Sequence, residues 1–155
     1  MYKLTQSIAR LIASTFYSGL SPIAPGTVGA AITIAILWFL PPISSWILGG
    51  AAVVMFLVGV WAAKLAEQSW GHDAGKINWD ETVGMLLTIL FLPKTMLIYG
   101  VAFVVCRVLD VIKPYPANVS QKLPHGWGVM IDDVIAGIYG NLLLQIVFRV
   151  LFAYD

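Results

Sequence analysis

Asp and Glu together number eight in this 155-residue chain, and the three most compact acidic groups are Asp80-Glu81, Asp110 and Asp132-Asp133, with Asp73 just ahead of the first. Neighbouring acids repel one another unless a cation or a proton sits between them. Mg²⁺ takes hard oxygen ligands from a few carboxylates, with water and substrate phosphate completing the shell. A divalent-metal site is therefore one reading of the set, with Asp73, Asp80, Glu81, Asp132 and Asp133 as candidate ligands. The plainer reading is that interfacial acids cap helices and meet headgroup water. That suits any single position better than it suits all of them. Adjacent residues on a helix point about 100° apart, so only one of Asp132 and Asp133 is expected to aim at the same centre as Asp80.

Basic residues accompany the acids. Arg107, Asp110 and Lys113 recur at every third position and share one helix face, and Pro114 then ends the helix. An acid between two cations is either a structural ladder or a metal-holding acid with an Arg and a Lys to clamp phosphate. The segment Gly19 to Gly29 holds Pro22, Pro25, Gly26 and Thr27, with Thr27 as a candidate cap of the helix that follows. Such a loop is either an anion site at a helix N-terminus or a rigid interfacial turn. Ser21, Thr27 and Lys76 thus join Arg107 and Lys113 as candidate phosphate contacts, although Lys76 can equally pair with Asp73. His72 reads as a polar loop residue. Candidate catalytic groups are Asp80, Glu81, Asp110, Asp132 and Asp133, with Asp110 as a possible general base and a phosphoaspartate left open.

The elements that must position these residues are strongly apolar. The chain is 59% hydrophobic and 11% charged, with a mean hydropathy of +0.86. Soluble domains carry roughly 25% charged residues, and a globule this small cannot hide so much apolar side chain. Apolar runs cover 28–40, 43–66, 82–92, 95–109 and 129–152, broken by Pro41-Pro42, Pro93-Lys94 and a Pro- and Gly-rich segment from Lys113 to Gly128. Only the second and last approach the roughly 20 residues that cross a bilayer. The expectation is one all-α domain, 1–155: a membrane-embedded helical bundle with short or re-entrant hairpins. Residues 1–20 are expected to form an amphipathic helix at the membrane surface. If the proline breaks are hairpin tips on one side, the acids gather on the other with Lys64, Lys76, Arg107, Lys113 and Lys122, which makes that side cytoplasmic. Trp70, Trp79, Tyr115 and Trp127 are expected to anchor at the interface. A net charge of +1 gives no electrostatic case for a nucleic-acid partner, and Cys106 alone rules out an internal disulfide framework.

Four ordered blocks resemble the phosphatidylglycerophosphatase A family. They are the Gly19 to Gly29 opening, Asp80-Glu81 followed by Gly84, Arg107-x-x-Asp110-x-x-Lys113-Pro114-x-Pro116, and Gly126-x-Gly128-x-Met130-x-Asp132-Asp133-x-x-Ala136-Gly137. The resemblance implies a helical protein of the bacterial inner membrane that hydrolyses phosphatidylglycerophosphate to phosphatidylglycerol and phosphate with Mg²⁺. It carries the family's acids onto Asp73, Asp80, Glu81, Asp110, Asp132 and Asp133, and its bases onto Arg107 and Lys113. Two positions depart from the pattern: Cys106 stands where an aromatic is common, and His125 precedes the Gly-x-Gly block. Neither alters a carboxylate. Rival chemistries fit less well. Residue 112 is Ile, so Cys106 lacks the Arg of a cysteine-phosphatase loop, and Ala136 replaces the last acid of the Asp-Asp-x-x-Asp diphosphate motif. A Mg²⁺ transporter should carry its acids near the midplane, whereas these stand at the ends of apolar runs.

Overall fold

Every apolar run becomes a helix, and the prolines mark the joints. The computed structural model describes residues 2–72 and 74–152, and all regular structure among them is helical. The order is α1 (Tyr2–Ala13), a short 3₁₀ turn (Ser18–Leu20), α2 (Pro25–Phe39), α3 (Ser45–Trp70), α4 (Trp79–Thr88), α5 (Met96–Ile112), α6 (Ala117–Ser120) and α7 (Trp127–Phe152). Leu40 turns extended ahead of Pro41, as a residue before proline prefers. Thr95 opens α5 by accepting a hydrogen bond from the Ile98 N–H at 3.2 Å. Lys113 closes it with a left-handed φ of 48° just before Pro114.

Helices α3 and α7, each of 26 residues, are long and apolar enough to cross a membrane. The others are shorter, and α4, with 10 residues, rises only about 15 Å. It is nonetheless the centre of the bundle, touching α1, α2, α3, α5 and α7. Its closest partner is α7. A Cβ on Gly137 would stand 2.5 Å from the Gly84 carbonyl oxygen, and one on Gly84 would stand 3.0 Å from that of Asp133. Only residues without side chains let the two backbones approach this far.

A short helix leaves the carbonyls of its last turn without partners inside the helix. Two polar side chains of α7 supply the donors. Asn141 Nδ2 donates to the Thr88 and Leu90 carbonyls at 3.0 and 2.7 Å, and Gln145 Nε2 donates to Leu90 at 3.0 Å. This explains the two amides in the apolar stretch of α7 from Ile138 to Phe148.

The N-terminal segment differs from expectation. Its helix ends at Ala13, and Thr15, Phe16 and Tyr17 all take positive φ, so residues 14–17 form a tight corner. Nor does the helix lie free. Ala9 and Ala13 are buried against Ala62, Ala63 and Ala66 of α3, with Leu4 and Ile8 facing outward. Trp79 also departs from an interfacial role: its indole N–H donates to the Met55 carbonyl in the middle of α3 at 2.9 Å. Tyr115 and Trp127 do stay exposed.

Candidate active site

The site starts from Asn78, the fully buried residue just ahead of α4. Its backbone N–H donates to Ala13 and its carbonyl accepts from the Thr15 hydroxyl, at 2.9 and 3.1 Å. Its Nδ2 donates to Ser18 Oγ and to the Pro25 carbonyl, both at 2.9 Å. One amide therefore ties the corner after α1 and the start of α2 to the first turn of α4, which carries Asp80 and Glu81. The glycines of the Gly19 to Gly29 loop make this possible. A Cβ on Gly29 would stand 2.9 Å from Asn78 Nδ2, and one on Gly26 would overlap Glu81 Oε1 and lie 3.1 Å from Arg107 Nη2.

Three helix ends then meet. Arg107 pairs with Glu81, and its Nη2 lies 3.1 Å from Asp110 Oδ2. Lys113 Nζ lies 3.8 Å from Asp110 Oδ1 and 2.6 Å from Asp132 Oδ2. Glu81, Asp110 and Asp133 each present a carboxylate oxygen within 4.8 Å of the other two. Asp133 is also close enough to feel the charges of Asp80, Asp110 and Asp132. Asp80, Glu81, Asp110, Asp132 and Asp133 are all buried. Arg107 and Lys113 are too few to neutralise five ionised carboxylates, and buried charge is costly unless paired. Burial by itself would lower the pKa of Lys113. The hydrogen bond and charge of Asp132, with the charges of Asp110 and Asp133, outweigh it and raise that pKa above the ordinary lysine value.

The donor set fits a small, hard cation. All three converging groups are carboxylates, and their oxygens, within 4.8 Å of one another, are hard donors of the kind that hold a divalent cation.

The structure gathers the sequence candidates unevenly. Glu81 and Asp133 converge, and Asp110 joins them as a third candidate ligand, outside the metal set expected from the sequence. Asp132 turns to Lys113, so the two adjacent acids do point apart. Asp80 is buried beside them in the first turn of α4. Asp73 lies outside the described residues. Thr27 stands inside the first turn of α2, whose N-cap is Ala24, so it is not the cap. The Ser21 hydroxyl folds back on its own loop, donating to the Ile23 carbonyl at 3.0 Å. Lys76 is exposed, with its ammonium 5.9 Å from the centre of the Trp70 ring. His72 is a loop residue paired with Glu67 at 2.8 Å, and Cys106 is packed in the apolar core. Sequence reasoning missed Asn78. Its only signal is an amide directly before a helix that opens with two acids.

Fold and site together define an all-helical protein with two membrane-length helices and a buried carboxylate centre crossed by an arginine and a lysine. Residues 11–148 match the phosphatidylglycerophosphatase A family, and the chain belongs to it. It is 38% identical to the phosphatidylglycerophosphatase A of Escherichia coli K12, over 88% of this chain and 81% of that one. The Haemophilus influenzae phosphatidylglycerophosphatase A is 36% identical, over 86% and 85%. A Bacteroides thetaiotaomicron protein provisionally named phosphatidylinositol-3-phosphatase is also 36% identical, over 88% and 91%. No solved structure matches the chain.

Proposed function

We propose that this chain is a Mg²⁺-dependent lipid phosphatase that hydrolyses phosphatidylglycerophosphate to phosphatidylglycerol and phosphate. The observation that carries the reading is the convergence of Glu81, Asp110 and Asp133 beside Arg107 and Lys113. A phosphomonoester needs charge neutralised on its oxygens, a water brought in line and a proton taken from that water. Glu81, Asp110 and Asp133 would hold the ion, with Asp80 beside them. Bound there, Mg²⁺ supplies positive charge against phosphate oxygens and acidifies a water.

The chain's own groups do the rest. Arg107 and Lys113 exchange part of their carboxylate contacts for phosphate oxygens and steady the charge that builds in transfer. The proton of the attacking water goes to a cluster carboxylate. Asp110 is the best candidate, because it alone borders both cations and the other ligands. The ester P–O bond breaks, and the leaving alkoxide of the glycerol headgroup takes the proton back from that carboxylate, which returns to its ionised state. Ser21 and Thr27 are the proposed phosphate contacts of the loop and first turn of α2, where backbone N–H groups favour an anion; the neighbouring Gly26 faces Glu81 and Arg107.

The whole chain, 1–155, acts as one domain in this reading, in the bacterial inner membrane with the site toward the cytoplasm. Support for that orientation is the excess of Lys and Arg on the carboxylate side. The relative named for phosphatidylinositol 3-phosphate shares the same bond chemistry, a phosphomonoester on a phospholipid headgroup. The test uses both lipids with detergent-purified protein, in Mg²⁺ and in excess EDTA, beside Asp133→Asn. Phosphate release from phosphatidylglycerophosphate that needs the metal and fails in the variant is the expected result. Preferred release from phosphatidylinositol 3-phosphate would move the substrate assignment, and no release from either lipid would end the phosphatase reading.

A further inference from the structure

Helices α2 and α5 run antiparallel, as two contacts show. Gly26 in the first turn of α2 faces Arg107 near the end of α5. At the other end, Trp38 of α2 meets Tyr99 of α5 edge to face, with ring centres 6.1 Å apart. At this aromatic end the helices part into a groove of about 560 Å³, with Ala31 and Ala35 on one side and Gly100 and Phe103 on the other. No charged side chain lines it. The small residues make the room, for a Cβ on Gly100 would meet nothing within 4 Å. The two helices that form the groove also form the site, and Gly100 to Arg107 is only about 10 Å of helix.

We propose that this groove seats an acyl chain of the phospholipid substrate, with the chain running from the Trp38–Tyr99 pair toward Arg107 and its headgroup delivered to the carboxylates. The inference rests on the proposed lipid substrate, and its occupant follows from continuity. A molecule whose charged end reaches Arg107 carries an apolar tail, and the apolar groove, whose nearest lining residue Phe103 stands one helical turn from Arg107, lies between the same two helices. Burial in itself favours the groove little over bulk lipid, since both are apolar. The gain is orientation. A chain fixed in one channel holds the scissile phosphate in register with the site, and small misplacements of a reacting group are costly in rate.

Gly100→Leu tests this without disturbing the packing, because its side chain projects into open space. Phosphate release is measured from dioleoyl phosphatidylglycerophosphate and from a dibutanoyl analogue too short to reach Gly100. The variant is expected to lose about tenfold or more in kcat/KM on the long-chain lipid and to keep its rate on the short one. Equal loss on both, or no loss on either, overturns the proposal. A second readout needs no turnover: photolabelling in detergent by phosphatidylglycerol with an acyl-chain diazirine, mapped by mass spectrometry. Labels concentrated on α2 and α5, and removed by Gly100→Leu, support the groove. Labels spread equally over α3 and α7 overturn it. If the wild-type protein hydrolyses neither lipid, the phosphatase reading fails and the labelling alone decides the groove.

Discussion

Lys113, the residue that ends α5, reaches across to the start of α7 and holds Asp132 at 2.6 Å. Asp132 is buried, so the contact neutralises a charge that water does not. Removing only the lysine takes its positive charge away from that buried carboxylate. Lys113→Met is expected to lower stability by about 2–3 kcal/mol. The double variant Lys113→Met, Asp132→Asn should recover part of the loss. Chemical denaturation in detergent across the four-member cycle checks it, and additive effects would show that the pair is not coupled.

The same contact sets a pH dependence. Because the folded pKa of Lys113 is raised, its contribution to stability is complete below the ordinary lysine value of about 10.4. It is lost as pH rises through the higher folded value. The thermal midpoint of the wild type should therefore fall toward that of Lys113→Met only at strongly alkaline pH. A gap that closes near neutrality would contradict this sign.

Gly26 bears on rate more than on stability. An alanine there pushes its methyl onto the end of the Glu81 side chain, which can swing aside. Gly26→Ala is expected to keep a near-native thermal midpoint and to lose about a hundredfold in kcat, the scale of a displaced catalytic group. Steady-state phosphate release beside a melting curve separates the two effects.

Asn141 should behave in the opposite way. Asn141→Leu leaves the Thr88 carbonyl without its donor at 3.0 Å, while Gln145 still serves Leu90. The expected cost is about 1–3 kcal/mol of stability, with the metal requirement unchanged. Thermal unfolding and a Mg²⁺ titration of activity read the two quantities independently.

Much of this was legible in the residues, for reasons that can be named. Proline pairs cannot continue a helix, so Pro41-Pro42 and Pro93 marked real joints. The three-residue spacing of Arg107, Asp110 and Lys113 gave a shared face, and the ion pairs follow it. What stayed hidden depends on how helices cross. Asp110 joins Glu81 and Asp133 only because α5 ends against the starts of α4 and α7, and no local pattern encodes that crossing. The α2 boundary moved for a different reason: Pro25 can occupy the first turn, where its missing N–H costs nothing. Thr27 was thereby left inside the helix. The corner at Thr15 to Tyr17 has left-handed backbone at three non-glycine residues, which propensity argues against.

The seam at Gly84 and Gly137 closes the path between α4 and α7. Backbone meets backbone there, and the amides of Asn141 and Gln145 bolt the far end of α4 to the same helix. A two-tailed molecule cannot slip through that wall, and opening it would strip α4 of the donors it needs. Nothing can therefore reach the carboxylates by parting α4 from α7, and these two acid-bearing helices can keep their contact through a catalytic cycle.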